Sequence, residues 1–191
     1  MNEAPDYCGP VVAWRVWYAV QSAGETRLSS VYHPAYWPMR KPLEAVCQRL
    51  RLPFRERHEA PTRRCQCGIY AALPETARDY FLTDSPQPAT PAVVGCVSLW
   101  GLVVECERGW RASHAYPERL FVPTLGRFGD TAARVARGLK GYGVPVELLD
   151  ASTASEAGEE IASLARVFNR TVPGTGGAVA PPKPTPQLWR Q

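Results

Sequence analysis

Four residues of the types that bind transition metals lie close together in the first half of the chain. They are Cys47, His58, Cys65 and Cys67, which follow one another as C-x10-H-x6-C-x-C. Zinc prefers thiolate and imidazole ligands in a closed tetrahedron, so this set predicts a structural zinc ion. Gly68, directly after the last ligand, would let the backbone turn tightly around the metal.

The same residues permit three other interpretations. The spacing between Cys65 and Cys67 is one residue shorter than the C-x-x-C of zinc ribbons, so these two could be incidental thiols. They could also be redox thiols, although the C-x-x-C of thioredoxin-like proteins is absent. A zinc-dependent hydrolase would use Glu59 beside His58 to handle water, although the sequence has no H-E-x-x-H motif. Packing roles are expected for three further cysteines: Cys8, Cys96 and Cys106.

Positive charge is concentrated around the candidate ligands. Residues 40 to 64 contain eight arginines and lysines against three glutamates, whereas residues 147 to 160 contain five acidic residues and no basic one. Such asymmetry favours a polyanionic partner at the basic segment, although arginine-rich loops also serve solubility alone. The candidate nucleic-acid contacts are Arg49, Arg51, Arg55, Arg57, Arg63 and Arg64.

A second candidate site combines aromatic rings with charged groups. Such a combination can stack a base or hold a cation, although aromatic residues in strands are more often part of the core. The candidate ligand-binding residues are Trp100, Trp110, Arg111, His114 and Tyr116.

The elements expected to hold these residues are mainly strands. β-Branched and aromatic residues predict one hairpin from residues 11 to 20 and 27 to 32. A stronger hairpin is predicted from residues 93 to 107 and 110 to 116, with Gly109 at its turn. If the two hairpins pair with each other, they close a barrel-like core.

Helices are expected between and after the hairpins. Apolar residues at three- and four-residue spacing predict a short helix from Pro42 to about Leu50, which would carry Cys47, and another that reaches Phe81. Near the C-terminus a helix is predicted from Asp130 to Tyr142. It is followed by an edge strand at residues 144 to 149 and by a second helix that starts in a capping box near Thr153.

The predicted organisation is one α+β domain over residues 1 to 170, with a β-rich core at residues 11 to 122, a short zinc-binding segment and two C-terminal helices. Residues 127 to 170 would form its helix–strand–helix part. Residues 171 to 191 contain five prolines and three glycines, which predicts a disordered tail. Leu188-Trp189 in this tail could contact a partner's groove, so an adaptor role is an alternative function.

Residues 11 to 122 resemble a set of small bacterial proteins with no assigned activity. The resemblance rests on the Cys/His run, including His58-Glu59-Ala60-Pro61 and Cys65-x-Cys67-Gly68-Ile69-Tyr70-Ala71, and on the run from Trp100-Gly101 to Ala115-Tyr116-Pro117. It implies that the Cys/His cluster and the second hairpin belong to one unit. It implies no function.

Composition limits the class of protein. Apolar residues make up 45% and charged residues 21% of the 191-residue chain, which is typical of a globular domain. The N-terminal residues do not form a signal peptide, and the longest apolar stretch, residues 92 to 104, is too short to span a bilayer. We therefore expect a cytoplasmic protein with no membrane contact, whose cysteines stay reduced and free for metal. The leading functional prediction is a zinc-stabilised recognition module for nucleic acid or protein.

Overall fold

Seven strands and three helices lie in the part of the chain that the computed structural model describes, residues 9–32, 35–47, 58–84, 90–125 and 129–169. In chain order they are β1 (Val11–Ser22), β2 (Glu25–Ser30), β3 (Leu43–Glu44), β4 (Ile69–Ala72), α1 (Pro74–Asp84), β5 (Ala92–Cys106), β6 (Gly109–Pro123), α2 (Gly129–Leu139), β7 (Val146–Leu149) and α3 (Ala154–Asn169). The predicted α+β class with a β-rich core is confirmed.

Four of the strands form a closed ring of hydrogen bonds. β1 pairs antiparallel with β5 over eight residue pairs, and β5 pairs with β6 along most of its length. β6 also pairs with β4, and β4 returns to β1 through the single pair Trp14↔Ala72. The predicted barrel-like closure is therefore present, and the shortest ladder in it joins β4 to β1.

Arg15 crosses the ring at this short ladder. Its guanidinium donates hydrogen bonds to the Tyr70 carbonyl on β4 and to Ser30 Oγ on β2, the latter at 3.0 Å, and it lies 5.1 Å from the centre of the Trp37 ring. Burial lowers the pKa of Arg15 to about 10, so the group stays protonated at neutral pH. A charged side chain thus joins β1 to β4 where backbone pairing is sparse.

Both faces of the sheet are covered, which explains the nearly continuous apolar runs of its strands. In β1, Ala13 and Trp17 face a core that α2 completes, whereas Trp14 and Val16 face a second core shared with α1 and α3. Successive side chains of a strand point to opposite faces, so one strand supplies both cores.

The hairpin of β5 and β6 is longer than predicted and contains a bulge. Gly101 and Leu102 lie opposite Ser113 alone, and Gly101 has a φ of +77°, which favours glycine. Ala112 and Ala115 both pack in the first core, although strict alternation along β6 would place them on opposite faces. The register of the hairpin shifts by one residue at the bulge.

The predicted helix from Pro42 to Leu50 is wrong over its described part. Leu43 and Glu44 form β3, and the Ala45 N–H donates to the Ser113 carbonyl at 2.7 Å. Pairing with β6 satisfies the backbone groups that a helix would otherwise pair internally, so tertiary structure overrides the helical spacing. Residues 48 to 50 lie outside the described residues.

The helix–strand–helix order near the C-terminus follows the prediction. α2 continues into a 3-10 turn at Lys140–Tyr142, which ends at Gly143 with a φ of +73°. β7 pairs in parallel with β6, and α3 begins with a capping interaction in which the Glu156 N–H donates to Thr153 Oγ1 at 3.2 Å. The division into one domain and a tail remains a prediction, since residues 171 to 191 lie outside the described residues.

Candidate metal centre

The four side chains predicted as metal ligands converge on one point. Cys47 follows β3, whereas His58, Cys65 and Cys67 lie in the segment that leads into β4. Their donor atoms all lie within 4.8 Å of one another. Cys47 is buried and the other three side chains are partly buried. This group is large enough and close enough to hold a metal ion.

Two of the distances between donor atoms are close to the edges of a zinc tetrahedron. Cys47 Sγ lies 3.7 Å from Cys65 Sγ, and His58 Nε2 lies 3.3 Å from Cys67 Sγ. A tetrahedral zinc with Zn–S bonds of about 2.3 Å has S···S edges of roughly 3.8 Å. Cys47 Sγ and Cys65 Sγ are therefore too far apart for a disulfide, whose bond is about 2.05 Å, and suitably placed to share a metal.

The segment that carries three of the ligands has little regular structure of its own. Residues 58–68 contain neither helix nor strand, and the Cys65 N–H donates to the Thr62 carbonyl at 3.2 Å. Gly68 ends the segment with a φ of +124°, and a Cβ there would lie 3.0 Å from the Pro61 side chain. Few regular backbone interactions therefore hold the ligands in place.

Arg111 on β6 donates hydrogen bonds to main-chain carbonyls of this segment. Its Nη1 donates to the carbonyls of Cys65 and Cys67, and its Nη2 lies 3.4 Å from the Thr62 carbonyl. The guanidinium also lies 5.7 Å from the centre of the Tyr70 ring. Arg111, which the sequence predicts as a ligand contact of the second hairpin, is thus buried and contacts the segment of residues 58–68.

Charge in the cluster favours a bound cation. Burial raises the pKa of the Cys65 thiol, but hydrogen bonds from Cys67, Cys47 and His58 outweigh this effect and lower the pKa to about 7. Burial, with the neighbouring thiols Cys65 and Cys47, raises the pKa of Cys67 to about 11. Cys65 is thus partly ionised near neutral pH and Cys67 is protonated, and a bound cation would favour the thiolate form of both.

A cleft of about 570 Å³ opens beside the cluster, with Cys47 and His58 in its wall. Glu44 and Glu59 contribute exposed carboxylates to it. The apolar residues that line the cleft include Val46 and Leu102, whose exposed fractions are 73% and 50%. His114 also lines the cleft. The cleft is therefore acidic and partly apolar, which is unsuitable for a phosphate backbone.

The aromatic candidates of the second hairpin have different neighbours in the fold. Trp100 stacks on His114 with ring centres 5.9 Å apart, beside the cleft. The Tyr116 hydroxyl donates to the Tyr142 carbonyl at 2.6 Å and accepts from the Arg40 N–H at 2.7 Å. Trp110 is partly buried and packs on the first core. Ligand binding by this set remains a prediction.

The predicted nucleic-acid contacts are described only in part. Arg63 and Arg64 are exposed in the segment between His58 and Cys65. The remaining four candidates lie outside the described residues: Arg49, Arg51, Arg55 and Arg57.

Two of the other cysteines lie away from the ligand set. Cys96 is buried in the second core, and burial raises the pKa of its thiol to about 12. Cys106 accepts a hydrogen bond from Arg111 Nε at 3.3 Å. Cys8 lies outside the described residues. Cys96 thus has the packing role expected of it. Cys106 contacts Arg111, which donates hydrogen bonds to the segment that carries three of the candidate ligands.

No protein-family model, curated protein or solved structure matches this chain. The resemblance noted in the sequence therefore supplies no activity. Among the described residues, no helix has the length and apolar character needed to cross a membrane.

Proposed function

We propose that this protein is a recognition module in which Cys47, His58, Cys65 and Cys67 bind one zinc ion. The observation that carries the proposal is the convergence of four soft donor atoms within 4.8 Å of one another. Three thiols and an imidazole suit zinc, whereas magnesium and calcium prefer oxygen ligands. The ion would hold the segment from His58 to Cys67, which has little regular structure.

The number of ligands supports a structural zinc over a catalytic one. A catalytic zinc normally has three protein ligands and keeps its fourth position for water or substrate. Four protein ligands fill the tetrahedron, which leaves Glu59 no metal-bound water to activate. The same ligation would occupy the thiols that a redox enzyme needs. Hydrolase and redox functions therefore receive less support than recognition.

Elemental analysis of the protein, purified without added metal or chelator, tests the zinc proposal. We expect one zinc per chain, because the four ligands form one closed site. If the protein contains iron instead of zinc, the four residues still form a metal site, and only the identity of the metal changes. Protein that contains no metal and takes up none from a zinc buffer would contradict the proposal.

For the partner, we favour nucleic acid at the basic segment. Arg63 and Arg64 are exposed between two of the ligands, so the metal that fixes the segment would also fix these two cations. Arginines near phosphates release condensed counterions, which gives affinity without sequence specificity. Neither arginine lines the cleft that contains Glu44 and Glu59, whose carboxylates would repel a phosphate backbone.

A double substitution, Arg63→Gln with Arg64→Gln, tests this contact. We expect affinity for a mixed-sequence oligonucleotide at low salt to fall about tenfold or more. The slope of log affinity against log salt should decrease by about 1.4 to 1.8, because each phosphate contact contributes about 0.7 to 0.9. Fluorescence anisotropy over a salt series measures both quantities.

Arg134→Gln with Arg137→Gln provides the matched comparison, since both arginines are exposed on α2 and the change in net charge is the same. Chelation of zinc should weaken binding of the unmodified protein as well. Equal losses in the two double variants would assign the effect to net charge, and no binding by the unmodified protein at low salt would remove nucleic acid as the partner.

A further inference from the structure

Arg111 is a buried cation with an unusual set of neighbours. It is 7% exposed, and its hydrogen bonds go to three main-chain carbonyls and to Cys106 Sγ. Two of those carbonyls belong to Cys65 and Cys67, which are two of the four candidate ligands. Its polar contacts are therefore directed at the metal-binding segment.

The charge of Arg111 has no carboxylate partner among the described residues. The ion pairs found there involve other arginines, namely Arg27, Arg78 and Arg119. A buried charge is stable only when an opposite charge or strong hydrogen bonds replace water. Carbonyl dipoles supply part of this stabilisation, and a negative charge nearby would add to it.

The proposed metal centre supplies such a charge. A zinc dication bound to three thiolates and a neutral imidazole carries one net negative charge, which equals the positive charge of one guanidinium. Arg111 is buried and the candidate ligands are buried or partly buried, and charges interact more strongly there than at the open surface. Arg111 and the centre would therefore stabilise each other.

We infer that Arg111 is the positioning residue and the counter-ion of the metal centre: it holds the main chain at Cys65 and Cys67 and selects a three-thiolate, anionic site. This inference rests on the proposed zinc site. It assigns to Arg111 a function inside the protein, in place of the ligand contact predicted from the sequence.

Two substitutions separate the roles of charge and hydrogen bonding. Arg111→Gln keeps donors for the carbonyls without the charge, and Arg111→Lys keeps the charge without the planar set of donors. We expect zinc affinity, measured by competition with a chromophoric chelator, to fall about 10- to 100-fold in Arg111→Gln, as is usual when groups behind metal ligands are changed. Arg111→Lys should stay within about tenfold of the unmodified protein.

A change in the charge of the centre tests the counter-ion role directly. Cys65→His converts the ligands to two thiolates and two imidazoles, which makes the zinc centre neutral. Arg111→Gln should then reduce zinc affinity by less than about threefold when it is combined with Cys65→His. A purely structural arginine would produce the same loss of affinity in both backgrounds, and that result would overturn the counter-ion role.

Arg15→Gln is the matched comparison, because Arg15 is also a buried arginine that donates to a carbonyl, Tyr70, but to none of the ligands. Circular dichroism in the presence of zinc first establishes that each variant folds. If Arg111→Gln does not fold, Arg111→Lys decides the question, since a loss beyond about tenfold contradicts the inference.

The outcomes distinguish the two proposals. Unmodified protein without zinc would reject the metal centre and the role of Arg111 together. Unmodified protein with one zinc, and an Arg111→Gln variant of equal zinc affinity, would reject the role of Arg111 alone.

Discussion

Cys67→Ser will lose the bound zinc and most of the stability of the domain. Structural zinc contributes on the order of 10 kcal/mol in zinc-finger peptides, which is comparable with the total stability of about 5–15 kcal/mol of a typical domain. The segment that carries Cys67 has neither helix nor strand between residues 58 and 68, so little else would hold it. We therefore expect Cys67→Ser to be partly unfolded at 25 °C.

Urea denaturation in buffers of fixed free zinc measures this effect. The unmodified protein should become more stable as free zinc rises, because zinc binds the folded state in preference to the unfolded state. Cys67→Ser should show no such dependence. Cys106→Ser removes a thiol outside the ligand set and should keep both the zinc and its dependence. Equal stability of Cys67→Ser and the unmodified protein in zinc and in chelator would show that the cluster is not a structural metal site.

Gly109→Ala will destabilise the ring of strands by about 2–6 kcal/mol. Gly109 has a φ of +146°, which costs about 1–3 kcal/mol for a residue with a side chain. A Cβ at this position would also lie 2.1 Å from the Ala71 carbonyl oxygen on β4, and overpacking of this kind costs about 1–3 kcal/mol more. Because Gly109 pairs with Ala72, the clash falls on the strand that closes the ring.

Chemical denaturation of Gly109→Ala beside Gly24→Ala checks this prediction. Gly24 lies in the turn between β1 and β2 with a φ of +81°, and a Cβ there would have no atom within 4 Å. Gly24→Ala should therefore show backbone strain alone, about 1–2 kcal/mol. A similar loss of stability in both variants would mean that β4 moves to accept the new Cβ, and that the ring tolerates an opening at this position.

The sequence predicts the long elements of this fold well, because their signals are local. The alternating strands of the two hairpins and the helix with its cap at Thr153 are all present. The helix predicted from Pro42 is wrong because Leu43 and Glu44 pair with β6 instead. No local sequence pattern predicts this long-range pairing. β4 was missed because a strand of four residues carries too little periodicity to be recognised.

The candidate ligands can be predicted from the sequence, but the residues that hold them in position cannot. Thiol and imidazole types are visible in the sequence, and the fold brings all four together. The role of Arg111 depends on the direction of one side chain across the sheet, which the alternation of β6 alone does not reveal because of the bulge near Ser113. The roles of Arg15 and the acidic cleft require the same tertiary information.

The ring joins the beginning of the chain to its second half, with Trp14 opposite Cys96. A ribosome adds about 5–20 residues per second, so β1, Cys47 and Cys67 are synthesised several seconds before β6 and Arg111. During that interval the thiols are present without the strands that later enclose them. Long-range strand pairing of this kind also slows folding to milliseconds or seconds. The candidate metal ligands are therefore synthesised before the strands that position them, and their thiols are open to oxidation during that interval.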